Sequence, residues 1–158
     1  MHGTLSSFLC CELASVAGDG TALAWPVVPL YLPERGEFLL TTSIGFPAKA
    51  VNIAREPRVS LLFSDATGSG LQDPPVVLVT GTARVAGGVQ TWGPDLEAHW
   101  QRVAALQPAS RRFTRTPVMR WFMDWYYMRL LIYVTPTSMS WWPDRAMTGR
   151  PGQIPGPR

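Results

Sequence analysis

The sequence predicts a mainly β domain, a small antiparallel barrel of about six or seven strands decorated by helices. Three observations carry this. Short apolar or alternating runs recur from Leu9 to Val85, separated by clusters of Gly, Pro, Asp and Ser. The period then changes to three and four residues between Trp92 and Leu106. Apolar β-branched and aromatic runs return between Arg129 and Trp142.

The elements follow in order. Residues 9–16 are apolar and β-tolerant, and Gly18-Asp19-Gly20 supplies a turn. Residues 22–32 resume with Leu23, Trp25, Val27, Leu30 and Leu32, which predicts a hairpin. Pro26 and Pro29 interrupt its second strand. Proline cannot donate to a ladder, so the strand must lie at an edge, bulge or open there. Such an opening leaves neighbouring backbone groups available to a ligand. Pro33-Glu34-Arg35-Gly36 turns the chain into a strand over 37–41.

The apolar run Phe38–Leu40 stops at Thr41-Thr42-Ser43. Pro47 suits the first turn of a short helix, where its missing N–H costs nothing. Glu56-Pro57 ends that helix at Arg55, since a residue before proline avoids helical geometry. Val59, Leu61 and Phe63 alternate with Arg58, Ser60, Leu62 and Ser64, a strand of period two. Residues 66–75 form a Gly/Ser/Pro loop. Val76 to Val85 is the strongest strand, and Gly81 in its middle marks a bulge or a close backbone approach.

Leu96, Trp100, Val103 and Leu106 define the apolar side of a helix over 92–106. Pro108 to Pro117 is a basic connector with Arg111, Arg112 and Arg115. Val118 to Tyr127 is apolar almost all round, which suits a core or dimer-interface helix, or an aromatic wall, and lacks the broad polar face that a membrane-surface helix beside Arg111, Arg112 and Arg115 would need. A strand over 128–135, a turn at Pro136 and a short strand through Trp141 and Trp142 complete residues 1–144 as one domain. Residues 145–158, rich in Gly, Pro and Arg, are expected to be a disordered tail.

Composition bounds the function. The chain has 158 residues, 46% of them hydrophobic, enough for a core without disulfides or metal. A net charge of +3 is too mild to imply nucleic acid. Cys10 and Cys11 are adjacent and form no CxxC pair, so the expectation is a reduced, cytoplasmic chain. No run reaches transmembrane length free of charge, and no basic n-region opens the sequence. No cluster has metal-ligand spacing. His99 lies in the predicted helix, where a surface or interface position is expected.

Lys49 is the only lysine in the chain. A strand end, three hydroxyls, a helix N-terminus and this ammonium together form a cradle for a phosphate. The same residues also describe a capped turn with a solvated lysine.

Five segments together resemble the pyridoxamine 5′-phosphate oxidase-like, flavin-binding split-barrel superfamily. They are the proline-broken hairpin, the strand ending in Thr41-Thr42, and the Lys49 helix with Arg55-Glu56-Pro57-Arg58-Val59-Ser60-Leu61-Leu62-Phe63-Ser64-Asp65. Val77-Leu78-Val79-Thr80-Gly81-Thr82-Ala83-Arg84-Val85 and the run from Arg129 to Pro143 complete the set. The resemblance spans residues 9–143. It implies a split β-barrel with a short phosphate-site helix and two helices before the last strands. It implies a homodimer with flavin mononucleotide (FMN) at the subunit interface.

Residue by residue, the resemblance sets Thr41, Thr42 and Lys49 at the phosphate, and Pro26, Val27 and Val28 along the ring edge. Thr80 lies near a ring-contacting position. The serine and arginine that precede the lysine in the oxidase are here Pro47 and Ala48. Either Ser43, Asn52 and Arg55 compensate, or the cofactor binds weakly, or it is not FMN, some family members using a deazaflavin coenzyme instead. The implied activity is hydride transfer involving a small flat substrate by an FMN-dependent oxidoreductase. A deazaflavin-dependent reductase and a non-catalytic flavin- or haem-binding protein are the alternatives. The oxidase's C-terminal substrate signature is not recognisable here.

Overall fold

The computed structural model describes residues 2–106 and 128–154. The predicted Val118–Tyr127 helix lies outside them. The chain begins with α1 (His2–Ser7) and the hairpin of β1 (Cys11–Val16) and β2 (Ala22–Val27). It continues through β3 (Leu30–Leu32), β4 (Glu37–Ser43) and α2 (Ala48–Arg55). Next come β5 (Arg58–Phe63), β6 (Val76–Val85) and α3 (Pro94–Leu106). Finally β7 (Arg129–Trp142) and β8 (Gly152–Ile154) close the described chain.

All the strand pairings are antiparallel, in the order β2-β1-β5-β6-β7-β4-β3, with β8 added to β7. The two ends of this order, β2 and β3, are joined by Val28 and Pro29 alone. A link that short spans roughly 10 Å at most. The sheet must therefore curl until its outer strands meet, and Pro26 and Pro29 keep them from zipping together. This is a split barrel, as expected.

Three local expectations are corrected. Residues 129–142 form one strand rather than two, because Pro136 sits opposite Gly81 at a register shift. Thr80 pairs with Ser138 and Gly81 with Pro136, so Thr137 is the extra residue of a bulge. A proline without an N–H is tolerated there. Any Cβ on Gly81 would run into the Thr135 carbonyl oxygen, which explains the glycine. Within the expected disordered tail, Gly152–Ile154 pairs with Met139–Trp141 as β8. Pro47 takes the N-cap position of α2 without any side-chain cap, and the helix starts at Ala48.

Strand parity divides the core. Phe38 and Leu40 of β4 point inward with Leu13, Leu61, Phe63, Val77, Val79, Ile132 and Val134, all fully buried. Leu39 points outward and packs with Leu96, Leu131 and Tyr133 in a second cluster beneath α3. Successive residues of a strand face opposite sides, so β4 serves both layers. Arg35 clasps Asp95 at the start of α3 with two bonds of 2.8 and 2.9 Å. The Tyr133 hydroxyl donates to the same carboxylate at 2.6 Å. Further along α3, Arg102 donates to the Phe8 carbonyl just after α1. These contacts hold α3 over the end of β4.

Candidate functional site

β4 runs on past its pairing with β3, which stops at Leu39, to end at Ser43, and parity decides what its hydroxyls do. Thr41 shares the outward face of Leu39 and meets α3, its Oγ1 lying 3.1 Å from His99 Nε2. Thr42 shares the inward face of Leu40, is 2% exposed, and donates to the Phe46 carbonyl at 2.8 Å. Ser43 Oγ accepts the Gly45 N–H at 3.2 Å. The hydroxyl run thus caps a turn, as one reading of the sequence had it. The same turn delivers α2 and its half-buried Lys49.

A cleft of about 290 Å³ opens at this place. One wall is Pro26, Val27 and Val28, the split between the barrel's outer strands. The floor is Thr41, Thr42 and Ser43 with Phe46 and Lys49. The opposite wall is His99, Trp100 and Val103 of α3, with Arg129 from the start of β7. The structure therefore gathers Pro26, Val27, Val28, Thr41, Thr42, Ser43 and Lys49 from separate stretches of the chain.

Asn52 and Thr80 are not among the cleft's lining residues. Asn52 is buried on the inner side of α2 with Ala50 and Ile53. Thr80 lines a separate groove where β1 ends and β5 begins, and its hydroxyl is 2.7 Å from that of Ser138. Among the described residues, that groove's one charged lining residue is Arg58, which is engaged by Glu56 at 2.8 Å.

Sequence reasoning missed His99, Trp100, Val103, Phe46 and Arg129. His99 is 4% exposed, not a surface residue. The signal was available: Leu96, His99, Trp100 and Val103 stand at three- and four-residue intervals on one side of α3.

Electrostatically the cleft is positive. Its described lining carries Lys49 and Arg129 and no carboxylate. Burial, and then the charge of Arg129, push the Lys49 pKa below its usual value. The ammonium lies 5.0 Å from the centre of the Trp25 ring, and the Arg129 guanidinium 4.8 Å from that of Trp100. Burial, then Arg129 and Arg102, lower the His99 pKa to about 4, so its imidazole is neutral at pH 7. His99 Nδ1 is buried without a hydrogen-bond partner among the described residues. Two cations, neutral imidazole and hydroxyls in one recess can hold an anion. Among the described residues, no group of acidic, histidine or cysteine side chains could hold a metal ion. No helix of the described residues is long and apolar enough to cross a membrane. Cys10 and Cys11 are free thiols.

A curled antiparallel sheet split at a cleft between its outer strands defines a class, the split barrels. The chain has the fold of the pyridoxamine 5′-phosphate oxidase-like members of that class. No family model and no curated protein matches its sequence. Solved structures do match. General stress protein 26 from Bacillus anthracis has a TM-score of 0.59 at 12% identity, over 96% of this chain and 93% of that one. A Clostridium acetobutylicum protein related to general stress protein 26, of the pyridoxinephosphate oxidase family, has a TM-score of 0.56 at 10% identity. There the coverage is 97% of this chain and 91% of the other. A heme binding protein from Mycobacterium smegmatis has a TM-score of 0.58 at 18% identity, over 95% of this chain and 54% of that one.

Proposed function

We propose that the protein is a flavin-dependent oxidoreductase that binds FMN in the cleft between the proline-split strands and α3. The observation that carries this is that Lys49 and Arg129, with no carboxylate among the described lining residues, line the cleft beside the hydroxyl end of β4. Such a recess favours a phosphate. Pro26, Val27 and Val28 would offer an apolar edge and backbone groups to the ring. Trp100 and Val103 would shield the opposite side.

A bound flavin supplies the redox chemistry, and the protein supplies binding, orientation and electrostatics. The scarcity of acid–base residues in the cleft fits that division. Small-molecule sites usually enclose about 300–1,000 Å³. At about 290 Å³, the cleft suits one end of a flavin, and a second subunit would supply the rest. A homodimer is part of this reading, with Thr80 of one chain reaching the ligand held by Lys49 of the other. The substrate would be small and flat, to stack on the ring.

The test is a titration of the purified protein with FMN, beside Lys49→Ala. A charge-assisted hydrogen bond contributes roughly 1.5–3 kcal/mol, so the substitution should weaken FMN about ten- to a hundredfold. Apo melting should barely change. Equal affinity in both proteins removes the phosphate cradle. A second reading, haem binding, is favoured by the buried neutral His99 with its unpartnered Nδ1 and by the heme binding neighbour. Haem titration giving a His99-dependent Soret shift, with no FMN binding, would replace the flavin.

A further inference from the structure

We propose that His99 is a positioning residue of the cleft: its Nε2–H donates to the Thr41 hydroxyl oxygen and so leaves the Thr41 proton to donate to an acceptor oxygen of the ligand. This rests on reading the cleft as the site of a flavin.

The two side chains come from different elements and meet at the cleft wall. Thr41 stands on the outward face of β4 and His99 on α3, and both line the cleft. Their contact, Oγ1 to Nε2 at 3.1 Å, is the only hydrogen bond of the Thr41 side chain among the described residues. A hydroxyl has one proton to give. Which of the two atoms donates therefore decides what Thr41 shows to the cleft. If the hydroxyl donates to Nε2, Thr41 offers a ligand only lone pairs. If Nε2–H donates, the hydroxyl proton must turn elsewhere, and the cleft is the space that Thr41 lines.

The imidazole is neutral at pH 7, so one ring nitrogen carries a proton and the other is bare. Three observations put the proton on Nε2. Nδ1 is buried, on a residue 4% exposed, and has no hydrogen-bond partner among the described residues. An N–H there would be an orphaned donor, and orphaned buried donors are rarer than under-used acceptors. Arg129 and Arg102 both act on the ring as cations. Positive potential favours a lone pair over an N–H at the nitrogen that has no other partner. Arg102 also lies three residues on along α3, a neighbour on the helix surface. It is held in place by its bond to the Phe8 carbonyl, and its own Nε–H is buried without an acceptor. A bare Nδ1 attracts that donor, and a protonated one repels it.

An oxygen that accepts one hydrogen bond gives its own proton more readily, because chains of hydrogen bonds polarise one another. Thr41 thus becomes a directed donor at the cleft floor, set by a residue behind it on α3. The ligand atom that it fits is an acceptor oxygen, whether a carbonyl of the flavin ring, a ribityl oxygen or a phosphate oxygen.

The experiment has two arms, both on the full-length chain. The sequence holds two histidines, His2 and His99. Long-range nitrogen–proton NMR of the rings at pH 7, with His2→Gln to assign the signals, reads the tautomer. His99 should carry its proton on Nε2 and leave Nδ1 bare. The opposite tautomer overturns the proposal. The second arm follows FMN binding by flavin fluorescence in wild type, Thr41→Val, Thr41→Ser, His99→Leu and the Thr41→Val/His99→Leu double variant, with each melting temperature recorded. Thr41→Val should weaken FMN about three- to tenfold, and Thr41→Ser should recover most of that. In the His99→Leu background the loss caused by the valine should shrink at least about twofold. A His99 that only supports the fold would lower the melting temperature and leave the valine's loss unchanged, which overturns the proposal. If His99→Leu does not fold, the single Thr41 variants carry this arm, and a valine variant as tight as wild type overturns it. Riboflavin titrated in parallel locates the acceptor: a loss with FMN alone puts it on the phosphate, and a loss with both puts it on the rest of the flavin. Either supports the hydroxyl as donor. A wild type that binds no FMN overturns the flavin reading, and the tautomer then decides the His99 assignment by itself.

Discussion

Thr41 Oγ1 and His99 Nε2 lie 3.1 Å apart, joining the end of β4 to the middle of α3 at the cleft wall. This bond gives a buried, neutral imidazole its one polar partner among the described side chains. Thr41→Val keeps the shape and removes the hydroxyl. Leaving a buried ring nitrogen unsatisfied costs about 1–3 kcal/mol. Denaturant melts should show that loss, and Thr41→Ser should recover most of it. A valine variant as stable as wild type would mean that the bond contributes nothing.

His99 also makes stability depend on pH. Its pKa is about 4 when folded and 6.5 at its ordinary value. Between those values the unfolded chain binds more protons, so stability rises with pH across the window and falls on acidification. The fall amounts to about 3 kcal/mol by pH 4. Urea midpoints at pH 7, 5.5 and 4.5 should drop in wild type. His99→Gln, lacking the titrating group, should show a shallower slope. Parallel slopes would contradict the buried neutral state.

Gly81→Ala should be among the most damaging substitutions of one methyl group. The new Cβ meets the Thr135 carbonyl oxygen, a backbone atom locked in the β6–β7 ladder. Overpacking of this kind costs about 1–3 kcal/mol, and more where backbone must move. A thermal melt checks it, with Gly87→Ala, which has open space, as the control.

Tyr133→Phe removes the 2.6 Å bond to Asp95 while leaving the Arg35 clasp. Loss of a hydrogen bond to a charged group costs about 1.5–3 kcal/mol. Faster amide exchange in the first turn of α3 should accompany it, since that carboxylate is where the helix is fastened. Unchanged exchange would place the anchoring of α3 elsewhere.

If Thr80 completes the site of a second chain, the protein is a homodimer with more than about 1,200 Å² of buried surface. Light scattering at tens of micromolar, about the range of ordinary laboratory stocks, should show twice the chain mass of 17.4 kDa. A monomer under those conditions rules out the shared site.

Much of this was legible from local patterns. Period two located β5, the long strand-forming run from Val76 to Val85 located β6, paired prolines announced the split, and Gly81 announced the bulge. Lys49 could be placed at a helix start after a hydroxyl strand end because all those signals lie within a dozen residues. What could not be read were relations set by pairing. Pro136 looks like a turn until Gly81 is known to lie opposite it. Gly152–Ile154 lacks a strand pattern of its own and depends on the edge of β7. Arg129 sits in an ordinary apolar strand, and its closeness to Lys49 follows only from the β4–β7 register. Thr80 and Lys49 look equally placed in a list of positions, but line different recesses.

The β4–β7 ladder matches residues 38–43 with 129–134, about ninety positions apart. Closing a loop that long costs about 4 kcal/mol of chain entropy before any contact repays it. The β1–β2 hairpin needs only a short turn. The two cations of the cleft are therefore neighbours only in a chain that has completed its least local step. A ligand lodged between them would act as a non-covalent staple across the slowest closure in the topology. Its largest effect on kinetics would be to hold that seam shut, slowing unfolding more than it speeds folding.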